Sequence, residues 1–105
     1  MATKNLYVIR LDDAVAELPK FRRANPGHVA GKPCMYVGVT SHDPKTRFQQ
    51  HKNGYKASRI ARKYGRYLMW RKSRHLNPIE SSEAERREWQ LANELRGRGY
   101  GGWQN

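Results

Sequence analysis

The stretch Met35-Tyr-Val-Gly-Val-Thr40 constrains the fold of this chain more than any other segment. Its apolar residues are nearly continuous, which is typical of a β-strand that is covered on both faces. The chain has 105 residues, a length that buries one modest core and leaves no material for a second. We therefore expect a single domain over residues 1–105, in which helices pack on one small sheet.

Local patterns predict the other elements of this sheet and its helices. The β-branched and aromatic run Leu6-Tyr-Val-Ile9 predicts the first strand, and Arg66-Tyr-Leu-Met-Trp-Arg71 predicts the third. Helices are expected at 44–53, around 57–64 and at about 83–96. Turn signals mark residues 12–33 as a long insert between the first two strands. The predicted class is α/β (α+β).

The chain carries a large excess of positive charge. It has 21 Lys and Arg against 9 Asp and Glu, a formal net charge of +12. Such a domain is expected to bind a polyanion, and nucleic acid is the leading candidate. No apolar run approaches the length of a membrane span, and the N-terminus lacks the apolar stretch of a signal peptide. With Cys34 as the single cysteine, these features predict a cytoplasmic protein that binds no membrane.

Glu88 interrupts the apolar stripe of the helix predicted at about 83–96. A carboxylate that faces a core needs a cation or hydrogen-bond donors, because burying an unpaired charge is costly. Two interpretations remain open. The helix could be rotated so that Trp89 packs inward and Glu88 pairs at the rim with Arg87 or Lys72. Alternatively, Glu88 is a metal ligand or an active-site acid.

The helix at 44–53 places Arg47 and His51 four residues apart, and therefore on one face. An arginine can hold a phosphate oxygen and stabilise the charge that develops during phosphoryl transfer. A histidine can orient or transfer a proton near neutral pH. The same spacing also fits an ordinary solvated helix face. Tyr7 and Tyr36 in the strands are, taken alone, typical half-buried packing residues.

Taken together in chain order, these residues resemble the GIY-YIG nuclease family. The resemblance rests on Leu6-Tyr-Val8, Tyr36-Val-Gly38, Arg47-Phe-Gln-Gln-His51 and Glu88. It covers nearly the whole chain and is closest to the small single-domain bacterial or phage members. It implies a three-stranded antiparallel sheet flanked by helices, in a bacterial cytosol or a phage-infected host cell. The implied activity is that of a metal-dependent endonuclease, a hydrolase that cleaves DNA phosphodiester bonds.

The resemblance also implies a role for each matching residue. Glu88 would bind one Mg²⁺ or Mn²⁺ ion. Tyr7 would activate or orient the attacking water together with His51. Tyr36 would help position the water or the scissile phosphate, and Arg47 would stabilise the charged transition state.

The chain departs from the family pattern at several positions. The first tripeptide begins with Leu6 in place of glycine, although the working group there is the tyrosine. The insert at 12–33 is longer than the usual connection, and its Phe21-Arg-Arg23 either contacts substrate or only decorates a loop. The family asparagine that follows the metal-binding helix has its nearest candidate in Asn105. Substrate is also implied to approach the backbone at Gly38.

A non-catalytic module that binds DNA or RNA on the same fold is the alternative function. In either case a set of basic side chains would hold the phosphate backbone: Lys45, Lys52, Lys56, Arg59, Arg62 and Lys63. An inward Glu88 favours the nuclease, because a pure binder gains nothing from a carboxylate beside a polyanion. A basic protein of a ribonucleoprotein particle would explain the charge but not the combination of motif residues. We expect a monomer or a weak homodimer.

Overall fold

A computed structural model describes residues 2–104 of the protein. The strands are β1 (Thr3–Leu11), β2 (Cys34–Thr40), β3 (Gly65–Leu68), β4 (Ile79–Glu80) and β5 (Gly101–Gln104). The α-helices are α1 (Pro19–Ala24), α2 (Pro44–Lys52), α3 (Arg59–Tyr64) and α4 (Ala84–Gly97). No helix within residues 2–104 is long and apolar enough to span a lipid bilayer.

The strands form one mixed sheet built around β1. Strand β2 pairs antiparallel with β1 along one edge, from Asn5 opposite Thr40 to Leu11 opposite Cys34. Strands β3 and β4 both pair antiparallel with the other edge of β1. Strand β5 lies on the far side of β2 and runs parallel to it, which gives the order β3-β1-β2-β5.

The expected α/β class is confirmed, but the expectation of a three-stranded antiparallel sheet is wrong. The sheet has five strands, and the β2–β5 pair is parallel. Strand β4 is only two residues long, too short to produce a sequence pattern. Strand β5 begins with Gly101-Gly102, which is typical of a turn, and its pairing becomes favourable only once β2 and α4 lie beside it.

The third strand is shorter than predicted. It ends at Leu68, and the chain enters a 3₁₀ turn at Trp70–Lys72. The side chain of Asn77 then continues the hydrogen bonding along β1. The Leu6 N–H donates to Asn77 Oδ1 at 2.7 Å, and Asn77 Nδ2 donates to the Leu6 carbonyl at 2.8 Å. One amide side chain thus bridges the gap between β3 and β4.

Hydrophobic cores lie on both faces of the sheet, as the apolar pattern of β2 predicts, so the expectation of one core and no second is wrong. On one face, Leu6, Val8, Met35 and Val37 pack against α4. That helix buries the side chains predicted to face inward, Ala84, Leu91, Ala92 and Leu95. On the other face, the side chains that pack together are those of Tyr7, Ile9, Leu11, Tyr36, Ile60 and Phe21.

The insert at 12–33 folds back onto the sheet. Phe21 of α1 is 1% exposed and stacks on Trp103 of β5, with ring centroids 6.0 Å apart. Asn25 binds the backbone at the outer edge of β5. Its Nδ2 donates to the Gly102 carbonyl at 3.0 Å, and its Oδ1 accepts the Gly102 N–H at 2.7 Å. The interpretation of Phe21 as a substrate contact is therefore wrong, because its ring belongs to the core.

Candidate active site

Tyr7, Tyr36 and His51 form a buried cluster on the α2 and α3 side of the sheet. All three side chains are at most 2% exposed. The Tyr7 hydroxyl lies 2.8 Å from His51 Nε2. The Tyr7 and Tyr36 rings are 6.1 Å apart between centroids, and the Tyr36 ring meets the edge of His51 at 5.4 Å. Two strands and a helix that are distant in sequence therefore bring together three of the predicted site residues.

Gly38 provides the space that the Tyr7 ring occupies. The two residues are directly opposite each other in the antiparallel β1–β2 pair. A Cβ atom at Gly38 would overlap the end of the Tyr7 ring. The phenol therefore fills the space that a side chain at position 38 would take, and the implied approach of substrate to the Gly38 backbone stays a prediction. Glycine is needed here to accommodate a neighbouring side chain.

Hydrogen bonds define which nitrogen of His51 carries the proton. Nδ1 accepts the backbone N–H of Ser58 at 3.3 Å. In a neutral imidazole the other nitrogen, Nε2, then bears hydrogen and donates it to the Tyr7 hydroxyl oxygen. Burial, with the nearby Arg47 charge, lowers the pKa of His51 from 6.5 to about 4. His51 is therefore a neutral donor toward Tyr7 at pH 7.

Ser58 is a site residue that the sequence did not identify. It is the N-cap of α3, where its Oγ accepts the Ala61 N–H at 3.4 Å. The same residue orients His51 through its backbone N–H. A cap signal can be read from the position of a serine before a helix, but its contact with His51 depends on the packing of α3 on α2.

The tyrosines are neutral phenols in the protein alone. Burial is the main cause that raises the pKa of Tyr7 above its ordinary range, and the neighbouring Tyr36 adds to it. Burial also raises the pKa of Tyr36, and the charge of Glu88 acts in the same direction. Arg47 opposes both shifts. Positive charge brought near this cluster is what favours a phenolate.

Arg47 projects from α2 and is partly buried beside the cluster. Its Nη1 donates to the Tyr55 carbonyl at 3.2 Å, and its Nη2 donates to the Lys56 carbonyl at 2.9 Å. Lys56 has φ of 43°, in the left-handed region. Arg47 thus holds the α2–α3 loop in place, and its charge acts on both tyrosines and on His51.

Glu88 is half-buried on α4. The rotated-helix interpretation is wrong, because Trp89 is 57% exposed. Within residues 2–104, Glu88 makes no ion pair and no hydrogen bond. Burial, with a smaller contribution from Glu85, raises the pKa of Glu88 from 4.5 to about 7. An unpaired carboxylate in so basic a protein fits a cation ligand.

Glu88 lines a cavity of about 870 Å³, and Lys4, Ser81 and Gln104 line the same cavity. The Oε1 atom of Gln104 is buried and has no hydrogen-bond partner among residues 2–104. The next residue, Asn105, lies outside the described part of the chain, so its predicted role remains an expectation. Gln104 is a second residue that sequence reasoning missed, since only the parallel pairing of β5 with β2 brings it near Glu88.

This donor set fits a hard divalent cation. Carboxylate and amide oxygens suit Mg²⁺ or Mn²⁺, and Mg²⁺ keeps several of its waters. No group of three His, Cys, Asp or Glu side chains able to hold a metal ion occurs in the described chain. Glu88 would therefore be the main protein ligand, with Gln104 nearby, and water and substrate oxygens would complete the coordination.

The six basic residues predicted to hold phosphate are all exposed: Lys45, Lys52, Lys56, Arg59, Arg62 and Lys63. Lys52 also has a structural contact at the end of α3. Its Nζ donates to the Arg62 carbonyl at 2.9 Å and to the Gly65 carbonyl at 2.8 Å. These cations lie on the α2 and α3 side of the sheet, the side that holds the tyrosine and histidine cluster.

Comparison with known families identifies the chain through its middle and C-terminal part. The family model described as GIY-YIG catalytic domain matches residues 29–101. That range contains Tyr36, Arg47, His51 and Glu88, and Tyr7 lies outside it in β1. No curated protein and no solved structure gives a significant match. The match covers more than half of the 105 residues, and the chain therefore belongs to the GIY-YIG nuclease family.

Proposed function

We propose that the protein is a metal-dependent endonuclease that hydrolyses phosphodiester bonds in DNA. The observation that carries the proposal is the unpaired, half-buried Glu88, whose charge acts on the buried Tyr36 of the tyrosine and histidine cluster. Membership of a nuclease family supports nucleic acid as the substrate. The net charge of +12 favours binding of its phosphate backbone.

The chemistry divides among the residues of the cluster. Tyr7 would orient the attacking water through its hydroxyl group. It would take the proton of that water only as a phenolate, a form that the His51 Nε2–H and the Arg47 charge both stabilise. Arg47 would also stabilise the negative charge that develops on the phosphoryl group. Tyr36 would position the water or the phosphate from the adjacent strand.

Glu88, with Gln104 beside it, would hold one Mg²⁺ or Mn²⁺ ion. The bound ion would polarise the scissile phosphate and stabilise the leaving oxygen. One protein carboxylate is a sparse ligand set, so affinity for the metal should be weak without DNA and stronger when phosphate oxygens complete the coordination. The six exposed cations around α2 and α3 would hold the backbone without reading its sequence.

A cleavage panel tests this function. Supercoiled plasmid, duplex, flap, branched and RNA substrates are incubated with the protein in Mg²⁺, in Mn²⁺ and in EDTA. We expect metal-dependent nicking or cutting of DNA, and we expect Tyr7→Phe to slow it by about 10²-fold or more. Tyr55→Phe serves as the matched control, because it removes an exposed phenol from the same side of the sheet.

The panel also separates the nuclease from a non-catalytic binder. A wild-type protein that binds these substrates but cleaves none of them in either metal would show a binding module on the nuclease fold. Cleavage by Tyr7→Phe at the wild-type rate would remove Tyr7 from the mechanism. Cleavage of RNA alone would change the proposed substrate from DNA to RNA, and phosphodiester hydrolysis would remain the reaction.

A further inference from the structure

Residues 66–75 form a second cationic surface that carries exposed aromatic rings. The segment reads Arg66-Tyr-Leu-Met-Trp-Arg-Lys-Ser-Arg-His75, with four Lys or Arg and no carboxylate. Tyr67 is 53% exposed and Trp70 is 44% exposed. Side chains of this size are rarely left in water without a function when they cluster. We call Tyr67, Trp70, Arg71, Lys72 and Arg74 the β3 platform.

The β3 platform lies on the opposite face of the sheet from the phenols. Leu68 pairs with Ile9, and both pack in the core that contains Tyr7. The adjacent pair is Tyr67 with Arg10. Because successive side chains of a strand alternate between the two faces, the Tyr67 ring points to the α4 face. The β3 platform is therefore separate from the tyrosine and histidine cluster.

Two adjoining cavities give this surface its shape. Tyr67, Trp70, Arg71 and Lys72 line a shallow one of about 510 Å³. The neighbouring cavity, about 340 Å³, shares Arg71 and Lys72 and extends to Arg98 at the end of α4. The Lys72 Nζ lies 4.8 Å from the centre of the Tyr100 ring, which holds this cation beside the second cavity. The two cavities therefore meet at Arg71 and Lys72.

The positive charge of the β3 platform is not neutralised by the rest of the described chain. Arg66 pairs with Asp12, and Arg98 pairs with Glu94. Arg71, Lys72 and Arg74 have no ion pair within residues 2–104. A ligand for this surface must therefore combine flat apolar faces with negative charge. Unstacked bases on a phosphate backbone have both properties.

We propose that the β3 platform binds a single-stranded segment of nucleic acid by stacking bases on Tyr67 and Trp70. The identity of that strand as part of the substrate rests on the proposed nuclease function. A second copy of this chain fits the surface poorly, because it would bring the same cations into contact. A lipid surface also fits poorly, since no large aliphatic side chain of residues 66–75 is exposed.

The distance from Glu88 to Arg98, which lines the second cavity, bears on the expected substrate. Arg98 follows Glu88 by ten residues on and just beyond α4, which is about 15 Å along a helix axis. That span equals about four stacked nucleotides at about 3.4 Å each. A duplex would be cut near Glu88 while an unpaired strand beside it followed the second cavity toward Arg71 and Lys72, which the rings adjoin. We therefore expect a preference for flaps and overhangs.

Binding measured without cleavage tests this proposal. The probes are a fluorescein-labelled single-stranded oligothymidine of about 12 nucleotides and a labelled duplex of the same length, both in EDTA. We expect Trp70→Leu and Tyr67→Leu each to weaken binding to the single strand by about 5-fold to 100-fold. Binding to the duplex should change by less than about 2-fold, because its bases are not exposed for stacking.

Trp70→Phe is the matched control, because phenylalanine keeps an aromatic face that leucine lacks. It should retain most of the single-strand affinity. Tryptophan fluorescence should be quenched when the wild type binds, and the part of that quenching due to Trp70 should be missing in Trp70→Phe, which keeps only Trp89 and Trp103. Both rings are exposed, so the thermal unfolding midpoint of each variant should stay near that of the wild type. Equal losses for Trp70→Phe and Trp70→Leu would overturn the stacking role.

Further outcomes bear on the identity of the ligand. Equal weakening for duplex and single strand, or no weakening for either, would overturn the proposal. Release of Trp70→Leu from phosphatidylserine vesicles with unchanged oligonucleotide binding would assign the surface to lipid instead. Because the binding assay needs no metal and no turnover, a protein that fails to cleave DNA could still bind through the β3 platform. A protein that cleaves DNA could equally lack this binding mode.

Discussion

At the scale of single residues, the pair formed by Tyr7 and Gly38 links the fold to the chemistry. The Tyr7 ring can reach His51 only because the residue opposite it in β2 has no side chain. A methyl group at Gly38 would push the ring away from Nε2. The glycine in the second tripeptide is therefore a steric requirement of the tyrosine in the first.

This relation predicts the effect of Gly38→Ala. We expect a loss of about 1–3 kcal/mol in the free energy of unfolding, because the new Cβ overlaps the Tyr7 ring, together with a large loss of cleavage. Gly27→Ala is the control, since no atom lies within 4 Å of its new Cβ. Urea denaturation measures the free energy of unfolding of the two variants. Combining Gly38→Ala with Tyr7→Leu should recover part of the stability, and strictly additive losses would contradict the overlap.

His51 and Glu88 make opposing contributions to stability as pH changes. The pKa of His51 is lowered to about 4 in the folded protein, so the unfolded chain binds more protons between pH 4 and 6.5. The contribution of His51 therefore falls as pH drops through that range. The pKa of Glu88 is raised from 4.5 to about 7, so its contribution is present at low pH and is lost as pH rises through that range.

The opposite pH dependences of the His51 and Glu88 contributions predict three different profiles of unfolding free energy against pH, one each for the wild type and two variants. The wild type should change little between about pH 4.5 and 6.5, because the two terms largely cancel. As pH rises from about 4.5 to 6.5, the unfolding free energy of Glu88→Gln should increase by about 1–2 kcal/mol, because only the His51 contribution remains. That of His51→Gln should decrease by a similar amount. Urea denaturation at a series of pH values measures the slopes. Slopes of the same sign in both variants would contradict the assignment.

At the scale of secondary-structure elements, the Asn77 side chain makes the hydrogen bonds that a neighbouring strand would otherwise make to β1. It bonds to both backbone groups of Leu6 in the gap between β3 and β4. Without these two hydrogen bonds, the central strand would have unsatisfied groups at its partly buried edge. The tether also fixes the chain that leads from the β3 platform to α4.

We expect Asn77→Ala to lower the free energy of unfolding by about 1–3 kcal/mol, because it leaves the Leu6 N–H and carbonyl without partners. Asn93→Ala is the matched control, since Asn93 makes one exposed hydrogen bond, to the Trp89 carbonyl. Its loss should be less than about 1 kcal/mol. Chemical denaturation measures both variants. Equal losses for the two would show that the Leu6 contacts contribute little.

Elements with a strong local pattern could be predicted from the sequence, and elements made by tertiary contacts could not. Helix α4 has the predicted inward stripe, and β2 is covered on both faces as its apolar run predicts. Strand β5 depends on Asn25 and on the neighbouring β2 for its hydrogen bonds. Its Gly-Gly start has no strand propensity of its own, so no local pattern could have predicted it.

The candidate site divides in the same way. Glu88 could be singled out because helical spacing alone puts a carboxylate on an apolar face. Ser58 and Gln104 could not, since one contacts His51 through a backbone N–H and the other reaches the Glu88 cavity through a parallel strand pairing. Backbone contacts and non-local strand pairs leave no signal in residue type.

At the scale of the whole molecule, the +12 charge is distributed over both faces of the sheet. The cations of α2 and α3 lie on the side of the phenols, and those of the β3 platform lie on the α4 side. Glu88 lies on α4 and has no cation paired to it within residues 2–104. This arrangement suits a substrate whose backbone contacts one face while an unpaired strand passes to the other.

The account depends most on Glu88 as the metal-binding carboxylate of a nuclease. The direct measurement is the single-turnover rate of DNA cleavage in Mg²⁺, with DNA affinity determined alongside, for wild type and Glu88→Gln. Glu94→Gln is the control, because it removes an exposed carboxylate from the same helix. We predict that Glu88→Gln lowers the rate by about 10²-fold or more and leaves DNA affinity within about 3-fold, while Glu94→Gln cleaves normally. Cleavage by Glu88→Gln at the wild-type rate would contradict the account.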